Sequence, residues 1–366
     1  MTSTMQNVLI TGGAGFVGAH IVQRLIDTET AAIHVVSRNP KKRFHHSRVF
    51  YHAADISDQA KVQALFEKVQ PQVVIHTASP DPLESDAAHQ RTNVQGTKVL
   101  LDCAKNCSST SVFVYTSSDS ACYPTGSQPT PATEDQVKLW DEKHYNNPYG
   151  KSKAIADNLV RAANSAELRT VVLSIPVVYG EDADERNMVP QLMESLKKGE
   201  HKMQVGDNKP FFEFCYVENV VEAHMLAVKA LFGSHGGATS ETKVDGEAFF
   251  ITDGVSRKFF DFARDCYAVA GAPVAEDEIK IIPLWLLQSM ASVGEWAYWI
   301  FTLGYLKPKM RRQNIDHLGG GAHWSIEKAK QRLGYRPVVE QKEAIERTTK
   351  WAMKAAGMKK RSSPSE

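Results

Sequence analysis

The chain has 366 residues, of which 42% are hydrophobic and 23% are charged, so the composition excludes a disordered protein and predicts a globular one. Its 43 basic and 42 acidic residues give a formal net charge of +1, which excludes an overall field that would attract nucleic acid. The first apolar run begins at Val8, too early for a secretory signal peptide, and we expect a cytoplasmic protein.

The first 180 residues alternate apolar strand-like runs with helical periodicity, as parallel sheets with crossover helices do. Six strands are predicted, at residues 7–11, 32–37, 49–53, 73–77, 111–117 and 170–175. Helices are predicted to begin near Gly15, Asp58, Asn93 and Tyr149. Because the strands are nearly continuous apolar runs, both faces of the sheet are expected to be covered. The sequence therefore predicts an α/β fold with a Rossmann-type, doubly wound parallel sheet over residues 1–180.

A glycine-rich turn follows the first predicted strand and leads into the first helix. Its glycines are Gly12, Gly15 and Gly18. Side chains at these positions would collide with a dinucleotide pyrophosphate or hold the helix away from the strand, and the helix N-terminus offers free N–H groups. We therefore expect a dinucleotide in contact with Gly12, Gly15, Phe16, Val17 and Gly18. A glycine turn without a ligand is the alternative.

Ser37 and Arg38 follow the second strand, where an NAD-binding protein usually has an acidic residue. An acidic side chain would repel a 2′-phosphate, whereas a hydroxyl and a guanidinium would bind it. The sequence therefore favours NADP over NAD. Lys41, Lys42 and Arg43 come next, so a solvated basic loop is the alternative explanation.

Asp55 and Ile56 follow the third strand, and we expect both at the cofactor site. Asp55 is placed to accept a hydrogen bond from the adenine amine of the dinucleotide. It is equally placed to cap the helix that follows, so both roles stay open.

Tyr149 and Lys153 are one helical turn apart, so their side chains lie on one face of a helix. A free phenol titrates too high to act as a base at neutral pH, but an ammonium and an oxidised nicotinamide beside it stabilise the phenolate. The pair follows four predicted βα units and Ser118, a hydroxyl near the end of the fifth strand. This context indicates a hydride-transfer site with Tyr149 as the general acid/base.

After residue 180 the chain has longer charged stretches between short apolar runs, without a clear linker. We expect a smaller substrate-binding lobe at 181–350 and a flexible tail at 357–366. The two lobes are predicted to be interwoven, because two apolar runs return to the edge of the sheet. These runs lie at 212–217 and 248–251, within the interwoven stretches 212–225 and 246–253.

The segment 284–303 is apolar and rich in tryptophan. Pro283 precedes it and Glu295 lies inside it, and a carboxylate at membrane depth is costly, so a membrane-spanning helix is not expected. The segment suits either a cover over an apolar substrate or a peripheral contact with a membrane such as the endoplasmic reticulum. A place in the protein core is the alternative.

The five cysteines of the chain do not form a Cys-x-x-Cys pair. They are Cys103, Cys107, Cys122, Cys215 and Cys266. An odd number without metal-ligand spacing predicts reduced structural thiols and no metal site.

Eight runs that cover nearly the whole chain resemble the extended short-chain dehydrogenases/reductases, and within them the 3β-hydroxysteroid dehydrogenase family, which includes fungal sterol 4α-carboxylate 3-dehydrogenases. These runs are 11–18, 74–79, 93–97, 114–118, 149–153, 216–220 with 223–224, 246–253 and 333–337. Ile175 departs from the pattern, since the family usually has arginine before the residue that matches Pro176. The resemblance implies an oxidoreductase that uses NADP or NAD.

The resemblance also implies roles for the catalytic candidates. Tyr149 would be the general acid/base, and Lys153 would lower the pKa of Tyr149 and hold the nicotinamide ribose. Ser118 would orient the substrate oxygen, in preference to Ser117 and Ser120. Asn93 corresponds to an asparagine that supports the site through its helix, and a helix cap is the alternative.

Further residues match family positions at the cofactor. Those expected to contact the dinucleotide are Thr77, Ala78, Ser79, Pro176 and Val178, together with Tyr149 and Lys153. His76 and His224 have no partner that the sequence identifies, and we expect them in the core or behind the site.

The implied reaction is oxidation of a secondary, 3β-type hydroxyl of a sterol, steroid or terpenoid, or reduction of the matching ketone. If the neighbouring carbon carries a carboxylate, oxidation yields a β-keto acid, which loses carbon dioxide without further catalytic groups. The expected partners are a small apolar substrate and a second copy of the chain in a homodimer, and no nucleic acid.

Two other functions fit parts of the sequence. A sugar-nucleotide epimerase or dehydratase has the same catalytic set, and Ser118 with Asp119 is similar to the start of a dehydratase trio, but Ser120 stands in place of the glutamate. A dinucleotide-sensing regulator without activity is the second alternative, and the intact pair Tyr149 and Lys153 counts against it.

Overall fold

The structure is a computed structural model, and it describes residues 5–40, 42–141, 143, 147–182, 187–233, 242–290, 292 and 319–358. The strands of the amino-terminal half are β1 (Asn7–Thr11), β2 (Ala32–Ser37), β3 (Val49–Ala53), β4 (Val73–His76), β5 (Val112–Ser118) and β6 (Arg169–Ile175). All six predicted strands are confirmed, and none of their ends differs from the prediction by more than one residue.

The later strands are short. They are β7 (Val177–Tyr179), β8 (Met203–Val205), β9 (Phe211–Phe212), β10 (Phe214–Tyr216), β11 (Glu247–Phe250), β12 (Arg257–Lys258) and β13 (Lys280–Ile282). Of these, β11 joins the first six strands in a seven-stranded parallel sheet with the order β11-β6-β5-β4-β1-β2-β3. The predicted doubly wound parallel sheet is confirmed.

Helices cover both faces of this sheet. The α-helices whose bounds both lie within the described residues are α1 (Phe16–Thr28), α2 (Gln59–Val69), α3 (Asp86–His89), α4 (Thr97–Lys105), α5 (Pro148–Ala162), α6 (Met188–Lys197), α7 (Val217–Gly233), α8 (Phe259–Val269), α9 (Glu327–Arg332) and α10 (Gln341–Ala355). Apolar residues of α1 and α7 pack on one face, and those of α2, α4 and α5 pack on the other. Neighbouring residues such as Val8 and Leu9 point to opposite faces, so a single strand contributes to both cores.

A third core lies in the carboxy-terminal half. Side chains of α6, α8 and α10 enclose it together with Phe214 and Tyr216 of β10. The five cysteines are buried with free thiols, spread over these cores and the smaller clusters beside them. The division into lobes at 1–180 and 181–350 stays a prediction, and the place of β11 beside β6 supports the predicted interweaving.

The prediction for the run 212–217 is wrong. The chain there forms β9 and β10, and β10 pairs in parallel with β7 in a separate two-stranded sheet. Pro176 separates β7 from β6 and has no amide hydrogen for a sheet ladder, so β7 leaves the main sheet and takes β10 with it. The run 248–251 does return to the sheet edge, in β11.

The helix predicted to begin near Asn93 begins earlier, at Asp86. Ser85 caps it, since its hydroxyl accepts a hydrogen bond from Ala88 N at 3.2 Å. From α3 the chain continues through a wider, π-helical turn at Gln90–Gly96 into α4. Asn93 therefore lies inside a helical stretch, and its alternative role as a helix cap is wrong.

The apolar segment at 284–303 is described in its first part. Residues 284–290 are helical, with Trp285 65% exposed and Met290 56% exposed, so a place in the core is wrong for this part. Residues 291 and 293–303 and the tail from residue 359 onward lie outside the described residues. Among the helices that are described, none is long and apolar enough to cross a membrane.

Candidate active site

A cavity of about 790 Å³ opens at the carboxyl ends of β1, β2, β3 and β4. We call it the switch-point cavity, because β2 and β3 continue the sheet on one side of β1 whereas β4 begins the other side. Doubly wound proteins bind their cofactors at such a point. Twelve predicted cofactor residues line this cavity: Gly12, Gly15, Phe16, Val17, Gly18, Ser37, Arg38, Asp55, Ile56, Thr77, Ala78 and Ser79.

The glycine-rich turn has no room for side chains at two positions. Gly12 has a φ of +73°, and a Cβ there would lie 2.7 Å from Thr77 Oγ1. A Cβ on Gly18 would lie 2.2 Å from the carbonyl oxygen of Gly12, so it would push α1 away from β1. Glycine at both positions lets the backbone line the cavity closely.

The N-terminus of α1 points to the switch-point cavity without a capping side chain. Gly15 is the N-cap residue, and the first turn of α1 contains no acidic residue. The first N–H groups of the helix and the positive end of its dipole are therefore available to an anion. This arrangement fits a dinucleotide, whose pyrophosphate would be held by the backbone from Gly12 to Gly18.

Asp55 lies at the β3 side of the switch-point cavity in a network of hydrogen bonds. Ser57 donates to Asp55 from its N–H and its hydroxyl, and Arg91 Nη2 lies 2.6 Å from Asp55 Oδ2. Burial alone would raise the pKa of Asp55, but these bonds and the charges of Arg91 and Arg38 lower it overall. Asp58 rather than Asp55 caps α2, so the capping alternative for Asp55 is wrong.

The basic residues after β2 separate into two groups. Arg38 lines the switch-point cavity, which agrees with its predicted place at the cofactor. Arg43 pairs with Asp182, and Lys42 lines a different surface depression. Lys41 lies outside the described residues. Lys42 and Arg43 fit the alternative of a solvated basic loop, and Arg38, although exposed like them, lines the switch-point cavity.

Two histidines tie strands to helices beneath the site. His76 is hydrogen-bonded to Thr11 Oγ1 at 2.6 Å and to Thr97 Oγ1 at 2.9 Å, and mainly burial lowers its pKa to about 3. His224 is hydrogen-bonded to Thr116 Oγ1 at 2.7 Å, and mainly burial lowers its pKa to about 4. Both are neutral core residues, as predicted.

A second cavity has a volume of about 510 Å³ and lies next to the switch-point cavity, along the loop that follows β4. We call it the Tyr149 cavity. Residues 77–80 of that loop line the switch-point cavity, and Pro82 and Leu83 line the Tyr149 cavity. Its apolar walls include Leu83, Val177, Val178, Met188, Phe212 and Phe259. Apolar walls with a few polar groups are typical of sites for small organic ligands.

Tyr149 and Ser118 meet in this second cavity. Asn147 caps α5 by accepting a 2.6 Å hydrogen bond from Gly150 N, which fixes the helix end that carries Tyr149. Burial raises the pKa of Tyr149 to about 12, and a hydrogen bond with the Ser118 side chain opposes the rise. The chain alone therefore keeps this phenol protonated at neutral pH.

Lys153 is buried one turn further along α5. Its Nζ donates to Thr116 O at 2.9 Å and lies 5.0 Å from the centre of the Tyr115 ring. Burial lowers the pKa of Lys153 to about 7, and the charge of Asp157 opposes this. Within the described structure Lys153 lines neither cavity. Without a bound dinucleotide, burial is the largest influence on the pKa values of both Tyr149 and Lys153, so the lowering of the Tyr149 pKa by Lys153 and a nicotinamide together stays a prediction.

Asn93 contacts the Tyr149 helix through a serine. Its Nδ2 donates to Ser152 Oγ at 2.9 Å, and Ser152 Oγ donates to Tyr149 O at 2.8 Å. Asn93 Oδ1 is buried and has no hydrogen-bond partner among the described residues. Pro176 and Val178, predicted at the cofactor, line the Tyr149 cavity.

Three residues near the site were not predicted from the sequence. Asn147 precedes a proline at the first position of α5, a capping signal that the sequence does contain. Asp157 follows Lys153 by one helical turn and pairs with Arg161 at 2.9 Å. Trp324 donates from its indole N–H to Asp119 Oδ2 at 3.3 Å, across 205 residues of sequence. No local pattern identifies such a distant contact.

Comparison with known proteins gives the same family that the motifs indicate. The sequence profile of the 3-beta hydroxysteroid dehydrogenase/isomerase family matches residues 9–279. The decarboxylating sterol-4-alpha-carboxylate 3-dehydrogenase of Gibberella zeae is 46% identical over 302 residues, which cover 82% of this chain and 97% of that protein. The protein of the same activity from Saccharomyces cerevisiae is 29% identical and covers 95% of this chain and 98% of its own.

Solved structures share the fold at lower identity. UDP-glucose 4-epimerase from Thermus thermophilus, in complex with NAD, has a TM-score of 0.70 at 22% identity, and the match covers 96% of this chain and 100% of that chain. dTDP-glucose 4,6-dehydratase from Bacillus anthracis, also with NAD, has a TM-score of 0.71 at 20% identity, with 96% and 98% covered. These similarities show that the chain shares the fold of these proteins.

Proposed function

Because the chain belongs to the 3-beta hydroxysteroid dehydrogenase/isomerase family, we propose that it oxidises the 3β-hydroxyl of a 4-carboxysterol and releases the carboxylate as carbon dioxide. It is an NAD(P)-dependent oxidoreductase. One observation carries the choice of substrate: Tyr149 and Ser118 line a cavity with apolar walls, beside the loop that also borders the switch-point cavity. A sterol is a large apolar molecule with one reacting hydroxyl, so it suits this lining.

In this proposal, Tyr149 takes the proton of the substrate hydroxyl, and Ser118 holds the same oxygen by a hydrogen bond. A bound oxidised dinucleotide would supply the hydride acceptor and a positive charge. Since burial raises the pKa of Tyr149 to about 12, Tyr149 becomes a base only where added positive charge offsets that burial. Lys153, one turn away, contributes part of this charge when it is protonated.

The same residues serve the loss of the carboxylate. Oxidation places a ketone next to the carbon that carries the carboxylate, so the intermediate is a β-keto acid. As carbon dioxide leaves, the electron pair of the broken bond moves towards the ketone oxygen. Tyr149 and Ser118 are placed to donate hydrogen bonds to that oxygen and so to stabilise the enolate.

For the cofactor, we propose a preference for NADP over NAD. Arg38 lines the switch-point cavity next to Ser37, and neither position carries an acidic side chain that would repel a 2′-phosphate. Thr77, Ala78 and Ser79 would contact the nicotinamide half, and Asp55 the adenine. The roles of Pro176 and Val178 at the nicotinamide belong to the same proposal.

We further propose that the protein is cytoplasmic and binds the endoplasmic reticulum membrane peripherally through 284–303. Trp285, Leu286 and Met290 are exposed on the described part of this segment, and Ile281 beside them is 60% exposed. Neighbouring exposed apolar residues of this kind are typical of membrane-surface contacts, and sterols dissolve in membranes. Self-association as a homodimer stays a prediction, which analytical ultracentrifugation tests.

Turnover assays on a substrate panel test the proposed function. The purified protein is incubated with NADP or NAD and with 4-carboxysterols, 3β-hydroxysteroids that lack a 4-carboxylate, or UDP-sugars. We expect reduced dinucleotide and released carbon dioxide in equal amounts with the 4-carboxysterols, and no turnover of the sugars. Turnover of UDP-sugars alone would contradict the proposal and support an epimerase.

A further inference from the structure

The proposed oxidation leaves one carboxyl group in the Tyr149 cavity without a role. Asp119 lines this cavity between Ser118 and Ser120. Its Oδ2 accepts the indole N–H of Trp324 at 3.3 Å, and its Oδ1 lies 3.5 Å from Ser118 Oγ. In the described part of the chain, no lysine or arginine pairs with Asp119. It is therefore an acidic group in a cavity with apolar walls, without a cation to hold it ionised.

Trp324 fixes the position of the Asp119 carboxyl group. The backbone N–H of Trp324 donates to Glu213 Oε1 at 3.2 Å, and its ring stacks on Phe250 with centroids 4.5 Å apart and planes 8° from parallel. Glu213 is itself buried, and burial raises its pKa to about 7, with the charge of Asp119 as a further cause. A rigid indole therefore holds the carboxyl group beside Ser118.

Asp119 is able to carry a proton near neutral pH. Burial raises its pKa to about 6, and hydrogen bonds from Trp324, Ser120 and Ser118 oppose the rise. A group whose pKa lies close to the working pH is both protonated often enough and acidic enough to act as a general acid. The pKa of Tyr149, about 12, makes that residue a much weaker proton donor to carbon.

The proposed reaction needs such a donor. After carbon dioxide leaves, the enolate carries a C3–C4 double bond, and C4 must receive a proton. The Asp119 carboxyl group lies 3.5 Å from Ser118 Oγ and lines the same cavity, so if Ser118 and Tyr149 hold the oxygen on C3, a carbon bonded to C3 lies within reach of Asp119. We propose that Asp119 is the general acid that protonates C4 from one face after decarboxylation, an inference that rests on the proposed function.

The step balances in atoms and charge. The O–H bond of Asp119 breaks, and its proton forms a new C–H bond with the electron pair of the enolate double bond. The C3–oxygen bond returns to a ketone, and the negative charge of the enolate passes to the Asp119 carboxylate. Water returns a proton to Asp119 before the next turnover.

Deuterium labelling at C4 tests this role. The holoenzyme converts a 4-carboxysterol in D₂O, borohydride traps the ketone, and NMR identifies the face that carries deuterium. We expect the wild-type protein to label one face. Asp119→Asn keeps the shape and an acceptor for Trp324 but has no acidic proton, so water should label both faces. Asp119→Glu should restore labelling of one face, and Asp207→Asn, an exposed aspartate paired with Lys209, is the matched control.

A second measurement does not require a complete turnover. By microscopic reversibility, Asp119 as a carboxylate should remove one C4 proton from a supplied 3-ketosteroid in D₂O, with a redox-inactive tetrahydro analogue of the reduced dinucleotide bound so that the ketone is not reduced. We expect this exchange to slow by about 100-fold in Asp119→Asn, within the usual range for a lost general acid or base. This measurement tests the role of Asp119 even if the Asp119→Asn variant no longer oxidises the substrate.

The outcomes separate this inference from the proposed function. Labelling of one face together with unchanged exchange in Asp119→Asn would overturn the role of Asp119. Labelling of both faces by Asp119→Asn, with one face in Asp119→Glu and Asp207→Asn, supports it. If the wild-type protein forms no ketone from any 4-carboxysterol, the proposed function has failed.

Discussion

The two cavities of this protein are built from different parts of the polypeptide. The switch-point cavity is lined by residues that directly follow β1, β2, β3 and β4, and its most crowded positions are glycines. The Tyr149 cavity is lined by side chains from segments spread between Pro82 and Phe259. The switch-point cavity depends on a backbone that lies close to the ligand space because glycines have no side chains there. The Tyr149 cavity depends on the functional groups of particular side chains.

The pKa values of ionisable groups also shift in opposite directions in the two cavities. Hydrogen bonds and guanidinium charges lower the pKa of Asp55 in the switch-point cavity, despite its partial burial. Burial raises the pKa values of Tyr149 and Asp119 in the Tyr149 cavity. The first environment favours charge and suits an anionic cofactor, and the second disfavours charge and suits an apolar substrate.

The largest expected effect tests the dependence of the Tyr149 cavity on one functional group. Tyr149→Phe removes the proposed base but keeps the ring, so we expect dehydrogenation to fall by about 10³-fold or more. Dinucleotide affinity, measured by fluorescence titration, should stay unchanged. Tyr123→Phe removes a hydroxyl that lines neither cavity and is the control. Turnover retained by Tyr149→Phe would contradict the role of this phenol.

The next effect tests the dependence of the switch-point cavity on missing atoms. Gly12→Ala adds a Cβ 2.7 Å from Thr77 Oγ1 at a φ of +73°, so we expect strain and overpacking to lower the free energy of unfolding by about 2 to 4 kcal/mol. Dinucleotide binding should weaken as well. Denaturant unfolding and binding titrations measure the two changes.

Gly199→Ala is the matched control for that substitution. Gly199 has a similar φ of +74°, but apart from its chain neighbours no atom of the described residues lies within 4 Å of the Cβ position, so only the backbone strain of about 1 kcal/mol applies. Equal losses of stability in Gly12→Ala and Gly199→Ala would show that crowding at Thr77 contributes nothing.

A smaller effect concerns the charge preference of the switch-point cavity. Arg38→Gln removes the guanidinium proposed to bind a 2′-phosphate, and a hydrogen bond to a charged group contributes about 1.5 to 3 kcal/mol. We therefore expect the ratio of kcat/KM for NADP to that for NAD to fall by about 10-fold to 100-fold. Arg43→Gln removes the same charge from a residue that pairs with Asp182 and should leave the ratio unchanged. Equal ratios in both variants would refute the proposed NADP preference.

The smallest expected effect concerns the apolar segment at 284–303, whose described residues line neither cavity. Trp285→Ser should weaken binding to phospholipid vesicles by about 1 kcal/mol, close to fivefold, since Trp285 is 65% exposed. Co-sedimentation with vesicles measures the bound fraction. Val338→Ser, at a residue that is 51% exposed elsewhere on the chain, is the control. Equal binding by both variants would place the membrane contact elsewhere.

Where a feature depends on neighbouring residues, the sequence predicted it. The six strands follow from short apolar runs, the glycine-rich turn follows from its glycines, and the shared helix face of Tyr149 and Lys153 follows from a period of about 3.6 residues; the structure contains all three. Most of the lining of the switch-point cavity could be predicted for the same reason, because residues that follow neighbouring parallel strands meet at one sheet edge.

Other features depend on contacts between distant parts of the chain. The pairing of β7 with β10, the bond from Asn93 to Ser152 and the contact of Trp324 with Asp119 join segments that no local pattern connects. The pKa shifts of Tyr149, Lys153 and Asp119 also depend on the tertiary structure, since burial by the assembled protein is the largest cause of each. The sequence determined which groups are present near the site, and only the tertiary structure decided how far each is removed from water.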